Sequence, residues 1–230
     1  MIISVHIPKC AGTSFKLSMQ EHFGKALKED YGTRPLRVPF EQGRKDATSF
    51  NQRINKKKFR KTQCIHGHFL AIKYAAFKGE AAFITWLRNP IERLYSNYNH
   101  ILRNRRVALN TIPYMVIKEG LTLEEYCFHP LVQNFCSNFF YGFSIFDFDF
   151  IGISENYDAE MTFFARKYLG KDVRSFKANV NPHGGQYRVD PGLRHELEAF
   201  HAEDMKMYLG AVELSRLRVL DCNLSGLEGL

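Results

Sequence analysis

Apolar positions along this chain recur with two different periods, and each change of period marks an element. The run Met1-Ile-Ile-Ser-Val-His-Ile7 is apolar, rich in β-branched residues, and stopped by Pro8. Such a run predicts a short buried strand. Beyond Lys9-Cys-Ala-Gly-Thr-Ser14, the residues Phe15, Met19, Phe23 and Leu27 recur at every fourth position, while Lys16, Gln20, Lys25 and Lys28 point elsewhere. This spacing predicts a helix with one apolar face and its amino terminus at the loop.

The same order returns further on. Residues 81–87 are largely apolar, with Arg88 at the carboxyl end, Asn89 as an N-cap and Pro90 as a first helical residue. A helix is expected from there toward Arg106, with Ile91, Leu94, Tyr95, Tyr98 and Leu102 as its core face. Glu92, Ser96, Asn99 and Arg103 follow helical spacing on a different face, with Ser96 about two turns in. In Gln63-Cys-Ile-His-Gly-His-Phe69, an extended chain puts Cys64, His66 and His68 on one side.

Downstream, Thr122-Leu-Glu-Glu125 reads as a capping box and Phe148 to Ile153 as a strand ending near Glu155. Asn156 to Leu169 reads as a helix, and Asp190-Pro191 opens another that runs past Tyr208. Asn179-Val-Asn-Pro-His-Gly-Gly-Gln-Tyr-Arg188 is the strongest loop signal, with residues 182–189 a candidate lid and Arg188 available to an anion. Without repeats or a Pro/Gly/Ser-rich linker, residues 1–230 are expected to form a single α/β domain. Its architecture should be three-layer, α/β/α, with a mainly parallel sheet.

The first loop carries phosphate chemistry. Unpaired N–H groups at a helix amino terminus, the helix dipole, Gly12 allowing close approach, the hydroxyls of Thr13 and Ser14 and the Lys9 ammonium all favour that anion. It is not a Walker A motif, because the lysine precedes the glycine by three positions. A cysteine-phosphatase loop around Cys10 would need arginine where Lys16 stands. A plain strand-to-helix turn is the remaining reading of this segment alone. Arg88 and Ser96 form a second device able to clamp an anion. Ligands of open α/β sheets gather at the carboxyl ends of strands, where Lys9 and Arg88 both fall, so the pair suggests a bisphosphorylated nucleotide.

His-Ile-Pro-Lys-Cys-Ala-Gly-Thr-Ser-Phe15, paired with Arg-Asn-Pro-x-x-Arg-x-x-Ser96, resembles the sulfotransferase superfamily. More narrowly, it is similar to the carbohydrate sulfotransferases related to uronosyl 2-O-sulfotransferases. The resemblance implies 3′-phosphoadenosine 5′-phosphosulfate (PAPS) as donor, leaving as adenosine 3′,5′-bisphosphate (PAP). It implies Lys9, Ala11, Gly12, Thr13 and Ser14 at the 5′-phosphosulfate, and Arg88 and Ser96 at the 3′-phosphate. His66-Gly-His68 resembles that family's histidine pair. An imidazole with pKa near 6.5 can take the acceptor's proton at neutral pH, so His68 is expected as general base, with His66 orienting or substituting for it. Lys9 would neutralise the leaving oxygen, and the reaction calls for no metal. Cys-x-His-x-His could offer zinc ligands, but no nearby pair completes a familiar spacing. The resemblance implies a hydroxyl acceptor, on a glycan or glycolipid. Cytosolic aryl sulfotransferases carry a glycine-rich carboxyl-terminal motif that is absent here.

Composition adds modest constraints. The 230 residues carry a net charge of +8, and 45% of them are hydrophobic, enough for a substantial core. The cationic run Arg53, Lys56, Lys57, Lys58, Arg60, Lys61 reads first as a solvated face, and otherwise as an electropositive rim that Arg103, Arg105 and Arg106 extend. No nucleic-acid motif accompanies it. No apolar stretch approaches the roughly 20 residues of a bilayer span, and no signal pattern opens the chain. The expected compartment is the cytoplasm, or the Golgi lumen if an anchor was removed. Cysteines 10, 64, 127, 136 and 222 suggest no disulfide framework. Two rival functions stay open: a kinase-like phosphotransferase, which would need a magnesium-holding carboxylate, and a non-catalytic binder of acidic polymers.

Overall fold

The computed structural model describes residues 1–32, 38–105, 108–109, 111–176 and 187–227, with side chains as far as Arg218. Among these, β1 (Ile2–Val5), β2 (Leu27–Glu29), β3 (Cys64–Gly67), β4 (Ala82–Leu87) and β5 (Phe150–Ile153) form one parallel sheet in the order β2-β3-β1-β4-β5. The helices are α1 (Gly12–Phe23), α2 (Phe40–Gln52), α3 (Pro90–Asn104), the short α4 (Ile112–Tyr114), α5 (Leu123–Cys127), α6 (Phe135–Phe139), α7 (Tyr157–Phe164), α8 (Pro191–Phe200) and α9 (Ala202–Leu227). No described helix is long and apolar enough to cross a membrane.

β1, β4 and β5 are buried on both faces, which is why they read as apolar runs, whereas β2 lies at the exposed edge of the sheet. Registry places Ser4 between His66 of β3 and Ile84 of β4, and Val5 between Gly67 and Thr85. On one face, the Phe15 ring of α1 lies 5.6 Å from His66, 5.8 Å from Trp86 and 5.2 Å from Phe164 of α7. On the other face, Phe83 packs 5.0 Å from Phe143. The result is the expected three-layer α/β arrangement, with β1 central and its carboxyl end feeding α1.

Several boundaries differ from the sequence reading, each for a local reason. Helix α1 stops at Phe23, where Gly24 takes φ 50 and ψ −121, so Leu27 does not continue the apolar stripe but opens β2. In α3, Leu102 is 40% exposed and Ile101 is buried instead. The helix leaves the core after Ser96, and residues around Val116 and Tyr126 cover only its Leu94–Ile101 side. Asp190 caps α8 as expected, accepting from Gly192 and Leu193 N–H, but the helix breaks at His201. That buried imidazole accepts from Asn134 N–H at 3.3 Å and donates to Cys127 O at 2.9 Å. The Thr122–Glu125 capping box is present. Most of the candidate lid, residues 182–186, lies outside the described residues. The run 53–61 is no helix face: it contains a single tight turn, Lys56–Phe59, just before β3, at the amino-terminal edge of the sheet and away from the strand ends that carry Lys9 and Arg88.

Candidate active site

The chain leaves β1 through a turn built from unusual backbone. Lys9 (φ 71) and Ala11 (φ 56) are both left-handed although neither is glycine. Such residues cost free energy and persist where surrounding structure dictates them. Successive N–H groups in these conformations line a concavity that suits an anion. Helix α1 starts at Gly12 with no side-chain cap on its N–H groups and no acidic residue in its first turn. Thr13 is exposed, Lys9 half-buried and Ser14 buried.

Cys10 is fully buried, its thiol 3.8 Å from Pro8 O within the loop. It points into the core, and burial removes it as an accessible nucleophile, which overturns the phosphatase-loop reading. Gly12 also has a reason other than approach of a ligand. A Cβ there would stand 2.0 Å from Cδ2 and Nε2 of His6, so the missing side chain makes room for an imidazole.

Positive charge crowds the loop. Burial, and then Arg103 and Arg88, hold the Lys9 ammonium down at about 8. His100 is likewise lowered by burial, Lys9 and Arg103. Among the described residues, neither Lys9 nor Arg103 forms an ion pair with a carboxylate. Arg88 follows β4, and Asn89 caps α3 by accepting from the N–H groups of Ile91 (3.0 Å) and Glu92 (3.2 Å). Glu155, after β5, accepts from Asn89 N–H at 2.7 Å and so fixes the main chain beside Arg88.

The polar stripe on α3 is buried over its first two members and emerges at Arg103, which is exposed. Glu92 is 3% and Ser96 9% exposed. The Glu92 carboxylate lies 3.9 Å from Arg88 Nη2 and 3.3 Å from Arg194 Nη2, and accepts from Tyr187 N–H at 3.1 Å. One buried carboxylate therefore ties Arg88 to α8 and to the segment that enters it. Arg93, the second arginine of the motif, is 2% exposed and packs 4.6 Å over Phe135 as an internal strut.

At the ends of β1 and β3 three imidazoles gather. His6 stacks on His66 at 4.8 Å and tilts against His68 at 4.2 Å. Ser4 Oγ is 2.9 Å from His66 Nδ1, and the Tyr31 hydroxyl is 3.2 Å from His6 Nδ1. His68 donates its Nδ1–H to the His6 carbonyl oxygen at 2.7 Å. That bond leaves the lone pair of the neutral ring on Nε2. Burial lowers all three: His66 falls to about 3, His6 well below its ordinary range with His66 and His68 adding to the effect, and His68 by a smaller step. At neutral pH the cluster is therefore uncharged. Cys64 shares the β3 face, but the rings stack rather than converge. Among the described residues no group of three or more His, Cys, Asp or Glu is arranged to hold a metal.

Sequence reasoning missed His6 as more than a strand residue, and missed Tyr31 and Ser4. The period-two alternation that put His66 and His68 together also aligns Ser4 with His6, so that part was available. Tyr31 was not, because β2 was read as helix.

Residues 1–127 match the family model described as the Sulfotransferase family. The chain belongs to that family. A solved sulfotransferase from Alicyclobacillus acidocaldarius is 17% identical to it, over 88% of this chain and 91% of the other, with a TM-score of 0.43. No curated protein matches the chain. Lys9 to Ser14, Arg88, Ser96 and the three histidines of this sulfotransferase all lie within the matched region.

Proposed function

We propose that this sulfotransferase moves the sulfuryl group of PAPS to a hydroxyl of a carbohydrate or glycolipid, with His68 as general base. The observation that carries the reading is the 2.7 Å bond from His68 Nδ1–H to the His6 carbonyl, which fixes a neutral imidazole with its basic Nε2 at the same sheet edge as the phosphate loop. The donor suits the other residues. Uncapped N–H groups of α1, the left-handed Lys9 and Ala11, and a lysine crowded by arginines make a cationic loop that favours phosphate. Lys9, Ala11, Gly12, Thr13 and Ser14 would hold the 5′-phosphosulfate, and Arg88 with Ser96 the 3′-phosphate.

His68 Nε2 takes the proton of the acceptor hydroxyl as its oxygen forms a bond to sulfur. The bond between sulfur and the bridging phosphate oxygen breaks, and Lys9 stabilises the charge that appears on that oxygen. His66, neutral to about pH 3, supports His68 as a dipole rather than as a second base.

Calorimetric titration with PAP beside magnesium ATP and AMP tests the donor, in wild type and Arg88→Ala. Selective PAP binding that collapses in the variant is expected, and preference for magnesium ATP would move the assignment to a kinase-like enzyme. Sulfation of a glycan and glycolipid panel from labelled donor then tests the acceptor class, with His68→Ala expected to abolish turnover while PAP affinity stays near wild type.

A further inference from the structure

His6 opens the first of the two donor motifs, ahead of the residues assigned to the phosphates, yet it touches both halves of the machinery. Its N–H donates to Gly67 O at 2.8 Å, which extends the pairing of β1 with β3 by one residue. Its carbonyl accepts from His68 Nδ1 at 2.7 Å. Its ring fills the place of a side chain on Gly12, lies 4.2 Å from the His68 ring and 4.8 Å from that of His66, and is oriented by Tyr31 Oη at 3.2 Å from Nδ1. Tyr31 itself stands edge-on to His68, with ring centroids 4.9 Å apart at 80°.

We propose that His6 is a positioning residue: its imidazole wedges the phosphate loop at Gly12 against His68 and, with Tyr31, holds the base in one orientation and one tautomer. This rests on the reading of His68 as base and of the Gly12 loop as donor site. The physical reason is the lack of slack. A sulfuryl transfer needs leaving group, sulfur and acceptor oxygen in line, and displacements of about 1 Å can cost about a hundredfold in rate. A ring seated between loop and base sets their separation by van der Waals contact, which is stiffer than any flexible side chain.

The test uses nitrogen-15 histidine spectra, which report the tautomer of each ring directly, together with calorimetric titration of PAP. The wild type is expected to show His68 as a single Nδ1–H tautomer across neutral pH. In His6→Ala that signal should give way to averaged tautomer shifts, and PAP affinity should fall several-fold because the Gly12 loop loses its backing. His6→Phe restores a ring between Gly12 and His68 and should recover most of the affinity. Tyr31→Phe, a milder change, should broaden the His68 signal while leaving the fold intact, and it carries the test together with His6→Phe if His6→Ala does not fold. An unchanged His68 tautomer in Tyr31→Phe and either His6 variant would overturn the proposal. If the wild type binds no PAP, the donor reading fails, and the tautomer spectra alone then decide the link between His6 and His68.

Discussion

Gly67 and the main chain of Asp30 occupy adjoining space: a Cβ on Gly67 would stand 1.9 Å from Asp30 O. Asp30 N–H donates to His66 O at 2.9 Å, so the strand that follows α1 lies directly over the glycine between the two histidines. This crossing delivers Tyr31 to His6 and His68. Asp30 is anchored in turn by the buried Lys73 ammonium and by Tyr74 Oη at 2.9 Å.

Gly67→Ala is therefore expected to be severe, because the obstacle is backbone and cannot rotate away. Overpacking of this kind typically costs roughly 1–3 kcal/mol. Denaturant unfolding should show that loss, and the His6–Tyr31 contact should disappear from histidine spectra even where the variant folds.

Binding of PAP should weaken as pH rises through about 8. Lys9 has its ammonium lowered to about 8 by burial and neighbouring arginines, and an anion beside it must raise that value. The complex then holds a proton that the free protein has lost, so titrations near pH 9 in buffers of different ionisation enthalpy should reveal proton uptake. Lys9→Arg, charged throughout, should abolish the uptake.

Acid should destabilise the fold through the histidines. His66 is neutral in the native state down to about pH 3, whereas an unfolded histidine takes a proton near pH 6.5. Between those values the unfolded state binds more protons, so stability is present above about pH 6.5 and falls as pH drops, by up to about 1.4 kcal/mol per pH unit for each such group. His66→Asn should flatten the slope between pH 4 and 6 in denaturant melts, whatever its effect on stability at pH 8.

Glu92→Ala should weaken both fold and donor site. The carboxylate holds Arg88, Arg194 and Tyr187 N–H together. Removing a buried acceptor shared by charged donors costs on the order of 2 kcal/mol. Melting temperature and PAP affinity should fall together, while Glu92→Gln, which still accepts from Tyr187, should lose less of the stability.

Local signals were read well where one segment decides its own fate. Pro8 and the run before it gave β1, Asn89-Pro90 gave the start of α3, and the Thr122 box gave α5. Reading failed where distant chain intervened. The apolar spacing from Phe15 to Leu27 fits one helix, but Gly24 adopts a positive φ and β3 offers an edge on which Leu27 pairs. The stripe of Glu92 and Ser96 was set apart from the core face, but its burial was not legible, because Tyr187 and α8 cover it from far along the chain. Cys10 looked like a thiol at a helix terminus, and only the left-handed turns on either side of it show the side chain going inward.

By itself the sequence determined the alternation of strands and helices and the places along it of the Lys9–Ser14 loop, Arg88, Ser96 and the histidine pair, because those depend on period, capping and residue chemistry within about twenty neighbours. Only the tertiary structure decided that His6 joins that pair, that Tyr31 closes it, that Gly12 and Gly67 are spaces reserved for a ring and a backbone, and that Glu92 balances two arginines. Those facts arise from parallel pairing of strands distant in sequence. Their register brings side chains dozens of residues apart within a few ångströms, a relationship that no local pattern encodes.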